Sequence, residues 1–158
     1  MFIAGIDAGR SYTKYKFEGG QGFFPSKIVP FYDHGGESPL KEPHDFIMEV
    51  RSEGETEPQK YFVGEITEFV EYGGAQVQRL EQDKATIPFK MFVLNALFRM
   101  GVHDFVPCII GTGVPYQMFK TQKDQIKQLL ERRHTVKVTT IYGEETRIIK
   151  IERAIVTA

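Results

Sequence analysis

Residues 6–17, which read IDAGRSYTKYKF, bring together the side chains of this sequence that are best suited to chemistry. An apolar run ends in Asp7, and a glycine, two hydroxyls and Lys14 follow within seven residues. A turn with unpaired backbone N–H groups, a hydroxyl and a nearby ammonium suits the oxygens of a nucleotide phosphate chain. A carboxylate beside such a turn can order the water shell of Mg²⁺, which keeps several waters and needs few protein ligands.

The same stretch also fits an ordinary β-turn, because Asp, Gly and Ser are common turn residues for backbone reasons alone. Two features favour a binding site. Asp7 ends a predicted strand whose other members are mostly apolar, so its carboxylate should emerge at the edge of a core. Lys14 returns on the next predicted strand, near the same turn. Spacing alone favours the ordinary turn, and the binding site is favoured only when these two features are added.

Other motifs in the chain indicate structure rather than chemistry. The Gly-Thr-Gly-Val-Pro segment at 111–115 lacks the third glycine of a dinucleotide fingerprint and predicts a tight strand-to-helix turn. Cys108 lies in an apolar run, which predicts a small buried hydrophobe and a poor nucleophile. Four histidines lack the spacing of metal ligands, which argues against a zinc site: His34, His44, His103 and His134.

The composition is that of one ordinary domain. The 158 residues are enough to bury a core, and the 20 basic and 21 acidic residues give a net charge of -1. No overall field favours nucleic acid or an acidic membrane, so neither is expected as a direct partner. No run approaches the ~20 apolar residues that cross a bilayer. The start of the chain lacks signal-peptide features, and the expected location is the cytoplasm.

The first half of the sequence predicts strands separated by polar connections. Three short strands with glycine turns between them should form an antiparallel meander, at 2–7, 13–18 and 22–25. The proline- and glycine-rich stretch at 29–45 predicts an irregular surface excursion. A second, smaller hairpin is expected from the strands 46–50 and 60–64, followed by a polar connection at 71–86 with a helical part at 75–82.

The second half predicts helices on a sheet. Apolar residues at helical spacing predict amphipathic helices at 87–101 and 116–133. The continuous apolar run at 105–113 predicts a buried central strand. Two further strands, at 135–141 and 147–156, should be joined by a turn. This order predicts a mixed sheet covered by helices, in which the first helix provides a right-handed crossover.

Four segments, taken in order, resemble a known family. The stretch from Asp7 to Lys14 resembles the first phosphate loop of the actin-like ATPases, whose pattern is Asp-x-Gly, small or hydroxyl residues, then Lys. FFPSKIVP (23–30) and YFVGEITEF (61–69) are similar to the Phe-Pro-Ser and Val-Gly-Glu segments of that family. CIIGTGVPYQMF (108–119) is similar to the strand-turn-helix segment of its ParM-type and archaeal-type branches.

The resemblance implies an α/β fold of the ribonuclease H-like, actin-like kind. It implies a mixed five-stranded sheet flanked by helices, with residues 30–84 as a small inserted subdomain. The second domain of the family, which carries another Asp-x-Gly loop and the adenosine pocket, has no counterpart in residues 1–158. The glutamine or glutamate that positions the attacking water would fall just past Ala158.

The resemblance also implies a role for each residue of the loop. Asp7 would hold Mg²⁺ through water, and Lys14 would neutralise the phosphates. The backbone from Gly9 to Ser11, with the hydroxyls of Ser11 and Thr13, would face the β- and γ-phosphates. Arg10 belongs to this loop as well, at a position where several relatives have a small or hydroxyl residue. No catalytic residue is assigned.

The function implied is that of the N-terminal half of a filament-forming actin-like ATPase that segregates plasmid or phage DNA. In the full-length protein the cofactors would be ATP or GTP with Mg²⁺, and the partners would be further copies of itself and a DNA-binding adaptor protein. For these residues alone we expect weak or no nucleotide binding and no turnover. Two alternatives are a nucleotide-independent binding or regulatory module on the same fold, and a fragment of a sugar- or acetate-kinase-type phosphotransferase.

Overall fold

Ten strands and three helices make up the regular structure of the computed structural model, which describes residues 1–33, 35–70, 77–80 and 83–158. The strands are β1 (Phe2–Ala8), β2 (Tyr12–Phe17), β3 (Gly20–Pro25), β4 (Lys27–Pro30), β5 (Asp45–Ser52), β6 (Gln59–Gly64), β7 (Gln78–Arg79), β8 (Pro107–Gly113), β9 (Arg133–Thr140) and β10 (Gly143–Thr157). The helices are α1 (Thr67–Val70), α2 (Ile87–Arg99) and α3 (Phe119–Leu130), and a 3-10 turn at Tyr116–Met118 precedes α3.

All ten strands belong to one mixed sheet, in the order β3-β2-β1-β8-β10-β9-β5-β6-β4-β7. The predicted meander is confirmed, because β1 pairs antiparallel with β2 and β2 pairs antiparallel with β3. Strand β8 lies parallel to β1 on one side and parallel to β10 on the other. The carboxyl ends of these three strands therefore meet at the same edge of the sheet, next to the turn of the β1–β2 hairpin.

The α/β fold is confirmed, but the expectation of a five-stranded sheet was wrong. Strand β10 is 15 residues long, and its two halves pair with different neighbours. Residues 150–157 pair with β8, whereas residues 143–150 pair with β9. Strand β9 then offers its other edge to β5, so the strands from the inserted stretch extend the main sheet. Sequence periodicity did not reveal this continuity because it is set by edge-to-edge pairing.

Both longer helices cover the same face of the sheet. Residues on α2 and α3 share one buried cluster with Ala4, Ile110 and Ala154, which point to that face from the central strands. Burial alternates along β1: Ala4, Ile6 and Ala8 are buried, and the odd-numbered residues between them are exposed. The opposite face of β1, β2, β8 and β10 is therefore open, and Ile3 (67% exposed) and Phe23 (63% exposed) lie on it.

The inserted stretch has a small core of its own. Val29, Phe62, Ile66 and Val70 form a buried cluster separate from the main one. The predicted hairpin is confirmed as β5–β6, while the predicted irregular excursion is shorter than 29–45 because β4 includes Val29 and Pro30. The boundaries 30–84 of the inserted subdomain stay a prediction.

Two predictions of local structure were wrong in part. Of the helical stretch expected at 75–82, residues 75–76 and 81–82 lie outside the described residues, and Gln78–Arg79 form strand β7 against the edge of β4. The central strand begins at Pro107 rather than at residue 105. Phe105 is 94% exposed and has a φ of 68°, in a loop held by the Asp104 carboxylate, which accepts a hydrogen bond from the amide of Ile148.

A buried polar cluster around Lys90 joins α2 to the β5–β6 hairpin. The Lys90 side chain is 1% exposed, and its ammonium donates to the Ser52 hydroxyl (3.1 Å), the Glu55 carboxylate (3.1 and 3.2 Å) and the Gln59 side-chain carbonyl (2.7 Å). Burial lowers the pKa of Lys90, and its bonds to Glu55 oppose that effect. Burial raises the pKa of Glu55, but hydrogen bonds from the Ser52 amide, Gln59 and Lys90 outweigh it and lower the pKa to about 2.

His134 extends this cluster to the end of α3. Its Nε2 lies 2.9 Å from the carbonyl oxygen of Leu130, which can only accept, so Nε2 carries the proton. Its Nδ1 lies 2.7 Å from the Ser52 hydroxyl and accepts from it in the neutral ring. Burial is the main cause that lowers the pKa of His134 to about 4, and the nearby Lys90 charge contributes. We refer to Lys90, Ser52, Glu55, Gln59 and His134 together as the Lys90 cluster.

Among the described residues, no helix is both long enough and apolar enough to span a lipid bilayer.

Candidate functional site

The turn between β1 and β2 is closed by a backbone hydrogen bond that requires a glycine. The Gly9 amide donates to the Tyr12 carbonyl oxygen over 3.0 Å. A Cβ atom at Gly9 would lie 2.9 Å from that same oxygen, which is closer than real Cβ contacts come. The glycine in the Asp-x-Gly pattern thus lets the chain turn tightly directly after Asp7 and Ala8.

Replacing Gly9 with alanine should destabilise the hairpin by about 1–3 kcal/mol, since the new methyl group can only be accommodated by moving backbone. Urea unfolding measures this cost. Gly5→Ala is the matched control, because a Cβ at Gly5, in the strand that leads into the turn, meets nothing within 4 Å. Equal stability of the two variants would contradict the role given to Gly9.

Ser26 stabilises the turn through hydrogen bonds to two residues at its β2 side. Its amide donates to the Ser11 carbonyl oxygen over 2.8 Å, and its hydroxyl lies 2.9 Å from the hydroxyl of Thr13. Ser26 and Thr13 are both fully buried. The structure therefore does not bring the Thr13 hydroxyl to the surface of the loop, where the resemblance placed it. Ser26 was missed as a supporting residue, although it lies in the Phe-Pro-Ser segment that the sequence singled out.

Asp7 and Lys14 lie directly opposite each other on β1 and β2, on the open face of the sheet. Both side chains are exposed, and no ion pair joins either of them to another residue in the part of the chain that the structure describes. They line a groove of about 800 Å³ that also borders Gly111 and Thr157. A carboxylate and an ammonium thus lie side by side on an exposed groove.

The tip of the turn offers further donors. Arg10 and Ser11 are exposed, and their amide groups donate to no other residue of the described ranges. Two neighbouring free N–H groups at a turn form a small concavity that attracts anions. The Ser11 hydroxyl and the Arg10 guanidinium lie on the same turn, so the structure brings together Asp7, Arg10, Ser11 and Lys14.

The carboxyl ends of β1 and β8 separate at this edge. Their pairing ends at Gly5 and Gly111, whereas β8 stays paired with β10 as far as Gly113. In open α/β sheets, ligands bind in crevices outside the carboxyl ends of parallel strands. The predicted strand-to-helix turn at 111–115 is confirmed, because the 3-10 turn and α3 follow Pro115 directly.

Lys84 occupies the gap between the two separated strands. Its ammonium donates to the carbonyl oxygens of Ala8 and Gly113, each over 3.1 Å. Burial lowers the pKa of Lys84, and the charge of the nearby Asp7 acts in the opposite direction. Sequence reasoning missed this residue because it lies in a polar stretch without periodicity, and its contacts are with distant parts of the chain.

The cysteine and the histidines singled out in the sequence lie away from the β1–β2 turn and make contacts within the fold where the structure describes them. Cys108 is buried, and burial raises the pKa of its thiol to about 11, which confirms the expectation of a poor nucleophile. His134 belongs to the Lys90 cluster, and His103 contacts the carbonyl oxygen of Gly101. His34 lies outside the described residues.

Comparison with known proteins identifies the fold. The family model described as the N-terminal domain of actin like proteins matches residues 5–158. A comparison with curated protein sequences found no match.

Several solved structures have the same fold as this chain. The apo form of the psk41 ParM protein superposes with a TM-score of 0.71 at 16% identity, over 99% of this chain and 49% of that one. The archaeal actin homolog Ta0583 gives a TM-score of 0.71 at 23% identity, over 99% of this chain and 44% of that one. AlfA from the B. subtilis plasmid pLS32, solved as a filament, gives 0.64 at 19% identity, over 100% of this chain and 56% of that one.

These likenesses confirm the actin-like fold expected from the sequence. The chain spans about half the length of the solved proteins it matches. Ta0583 has also been solved in complex with ADP.

Proposed function

The chain belongs to the actin-like proteins and matches their N-terminal domain, and from that premise we propose that it forms the first half of the nucleotide clamp of a filament-forming, plasmid- or phage-encoded actin-like ATPase. The observation that carries this proposal is the β1–β2 turn. At the carboxyl edge of the sheet it presents the Asp7 carboxylate, the Lys14 ammonium and the amides of Arg10 and Ser11, none of which is paired with another of the described residues.

These groups fit Mg²⁺ and a phosphate chain. The Asp7 carboxylate would order water around the ion, since Mg²⁺ is commonly held through few protein oxygens and several waters. The amides of Arg10 and Ser11 would donate to phosphate oxygens, and the Ser11 hydroxyl adds a third donor. Lys14 would balance the phosphate charge, with Arg10 close by. The chemistry supplied by a bound Mg·nucleotide is transfer of its terminal phosphoryl group to water, which depends on positioning and charge stabilisation.

Two relatives support the proposals of nucleotide binding and of filament assembly. Ta0583 is known with ADP, and AlfA is known as a filament. For the longer protein we propose ATP or GTP with Mg²⁺ as cofactor, self-association into filaments in the cytoplasm, and a DNA-binding adaptor as the link to DNA. Because residues 1–158 span about half the length of the relatives, we propose that this chain alone binds nucleotide weakly and does not turn it over.

A second candidate is a binding module that works without nucleotide. One observation favours it: the Thr13 hydroxyl, expected at the phosphates, is buried against Ser26. In that case the free amides and the pair Asp7 and Lys14 would contact only solvent or a protein partner.

Phosphorus NMR of Mg·ATP distinguishes the two candidates. On titration with the 158-residue chain, we expect the β- and γ-phosphate signals to shift and broaden with a dissociation constant of about 1 mM or weaker. Asp7→Asn and Lys14→Met should remove the effect, and no phosphate should be released over hours. Unchanged ATP signals would favour the binding module. Micromolar binding with steady phosphate release would contradict the proposal that this chain is only half of the clamp.

Thr13 and Ser11 should differ in what they affect. Thr13→Val leaves the buried Ser26 hydroxyl without its partner, so it should cost about 1–3 kcal/mol of unfolding free energy and leave ATP binding unchanged. Ser11→Ala should leave stability within about 0.5 kcal/mol and weaken ATP binding. Urea unfolding and the same NMR titration separate the two effects. If instead Thr13→Val weakened ATP binding without loss of stability, the Thr13 hydroxyl would belong to the phosphate site.

A further inference from the structure

Lys84 is held at the carboxyl edge of the sheet by two hydrogen bonds from its ammonium to uncharged carbonyl oxygens. Its ammonium has three N–H groups, and two of them are used by the carbonyl oxygens of Ala8 and Gly113. The third has no partner among residues 1–33, 35–70, 77–80 and 83–158. Both acceptors are neutral, and no carboxylate in these ranges lies within ion-pair distance of Lys84.

The position of Lys84 is fixed from two sides. Its own amide donates to the Gln122 side-chain carbonyl over 3.1 Å, and Gln122 is 2% exposed on α3. The neighbouring Asp83 carboxylate accepts from the Ala85 amide over 2.9 Å, directly before α2 begins. Hydrogen bonds therefore hold both the backbone at Lys84 and its ammonium in place. Little side-chain conformational freedom would be lost when a ligand binds.

Lys84 and Lys14 approach the end of β1 from opposite sides. Lys14 lies on the open face, across from Asp7. Lys84 comes from the side of the helices and bonds the carbonyl of Ala8, the residue between Asp7 and Gly9. A half-buried cation without a hydrogen-bonded counter-ion is costly to keep, unless an anion completes its shell when the site is filled.

We propose that Lys84, in addition to Lys14, is a cationic ligand of the polyphosphate chain. The phosphates would then lie against both the β1–β2 turn and the gap between the ends of β1 and β8. This inference rests on the proposed function and adds to it a residue outside the loop motif. On this proposal a chain of two or more phosphates bridges the two lysines at the end of β1, whereas a single phosphate group binds one of them. Lys84 thus favours polyphosphates over inorganic phosphate.

The test uses inorganic tripolyphosphate and inorganic phosphate as probes of the 158-residue chain, again by phosphorus NMR. Lys84→Gln removes the charge but retains a side-chain N–H donor, and Lys84→Met removes both the charge and the donor. We expect both variants to bind tripolyphosphate about tenfold more weakly than the unchanged chain, as for loss of one charge-assisted hydrogen bond, with inorganic phosphate binding affected much less. Lys84→Arg should recover part of the affinity for tripolyphosphate.

The controls separate this inference from the proposed function. Urea unfolding should show Lys84→Gln close to the unchanged chain, so its weaker binding would not reflect loss of the fold. If Lys14→Met abolishes tripolyphosphate binding while Lys84→Gln binds as tightly as the unchanged chain, the role of Lys84 is overturned and the phosphate loop stands. If the unchanged chain does not bind tripolyphosphate at all, both proposals fail.

Discussion

Lys90→Met is expected to lower the free energy of unfolding by about 3–5 kcal/mol, the range typical of breaking a buried ion pair by removing one partner. The Lys90 side chain is 1% exposed, and its ammonium donates to three other side chains. Methionine fills much of the same volume but donates nothing, so Glu55 would keep a partly buried negative charge without its counter-ion. Ser52 and Gln59 would each lose a donor as well.

Urea unfolding of the variant checks this value. Lys120→Met, at an exposed position on α3, is the matched control and should change stability by no more than about 0.5 kcal/mol. A double-mutant cycle with Glu55→Gln should show coupling between positions 55 and 90, because the two side chains are in direct contact. A loss below about 1 kcal/mol for Lys90→Met would contradict the claim that the Lys90 cluster locks the hairpin to α2.

Acid should weaken the folded state through His134. The folded ring has a pKa of about 4, against an ordinary value of 6.5. Between these two pH values the unfolded chain binds a proton that the folded chain excludes, so the free energy of unfolding falls as pH falls. The pKa difference corresponds to about 3 kcal/mol between neutral pH and pH 4. Glu55, whose pKa is lowered to about 2, adds a further loss below its ordinary value of 4.5.

Urea unfolding at a series of pH values measures this dependence. His134→Gln removes the titrating ring and should flatten the curve between pH 6.5 and pH 4, even though its stability at neutral pH is lower. His103→Gln, at an exposed position in the loop after α2, should leave the slope unchanged. If the free energy of unfolding of His134→Gln still fell with pH as steeply as that of the unchanged chain, other groups would be responsible for the acid sensitivity.

The sequence predicted the parts of the site that are close together along the chain. Asp7 and Lys14 are joined by a short hairpin, so an apolar strand, a glycine turn and a returning strand were enough to place both at one edge. The same local logic predicted α2, the β5–β6 hairpin and the turn after β8. Each depends on periodicity or turn residues within a few positions.

Features set by distant contacts could not be predicted in this way. Lys84 reaches the carbonyl oxygen of Ala8 across the fold, and nothing in its polar neighbourhood marks it. The inward orientation of Thr13 depends on Ser26, which a family pattern of small and hydroxyl residues does not specify. The extension of the sheet from β9 to β5 is likewise a matter of which strand edges remain free.

The most direct test of the proposed phosphate site follows the backbone amide signals of the 158-residue chain by NMR while Mg·ATP is added. We predict that the amides of Arg10 and Ser11 shift most, since these two groups at the tip of the turn donate to no other residue in the described part of the chain. They should not shift when Mg·ATP is added to Lys14→Met. If these two amides stay unchanged at about 10 mM Mg·ATP, well above the weak affinity expected, or if the largest shifts lie away from the β1–β2 turn, the account of this site is wrong.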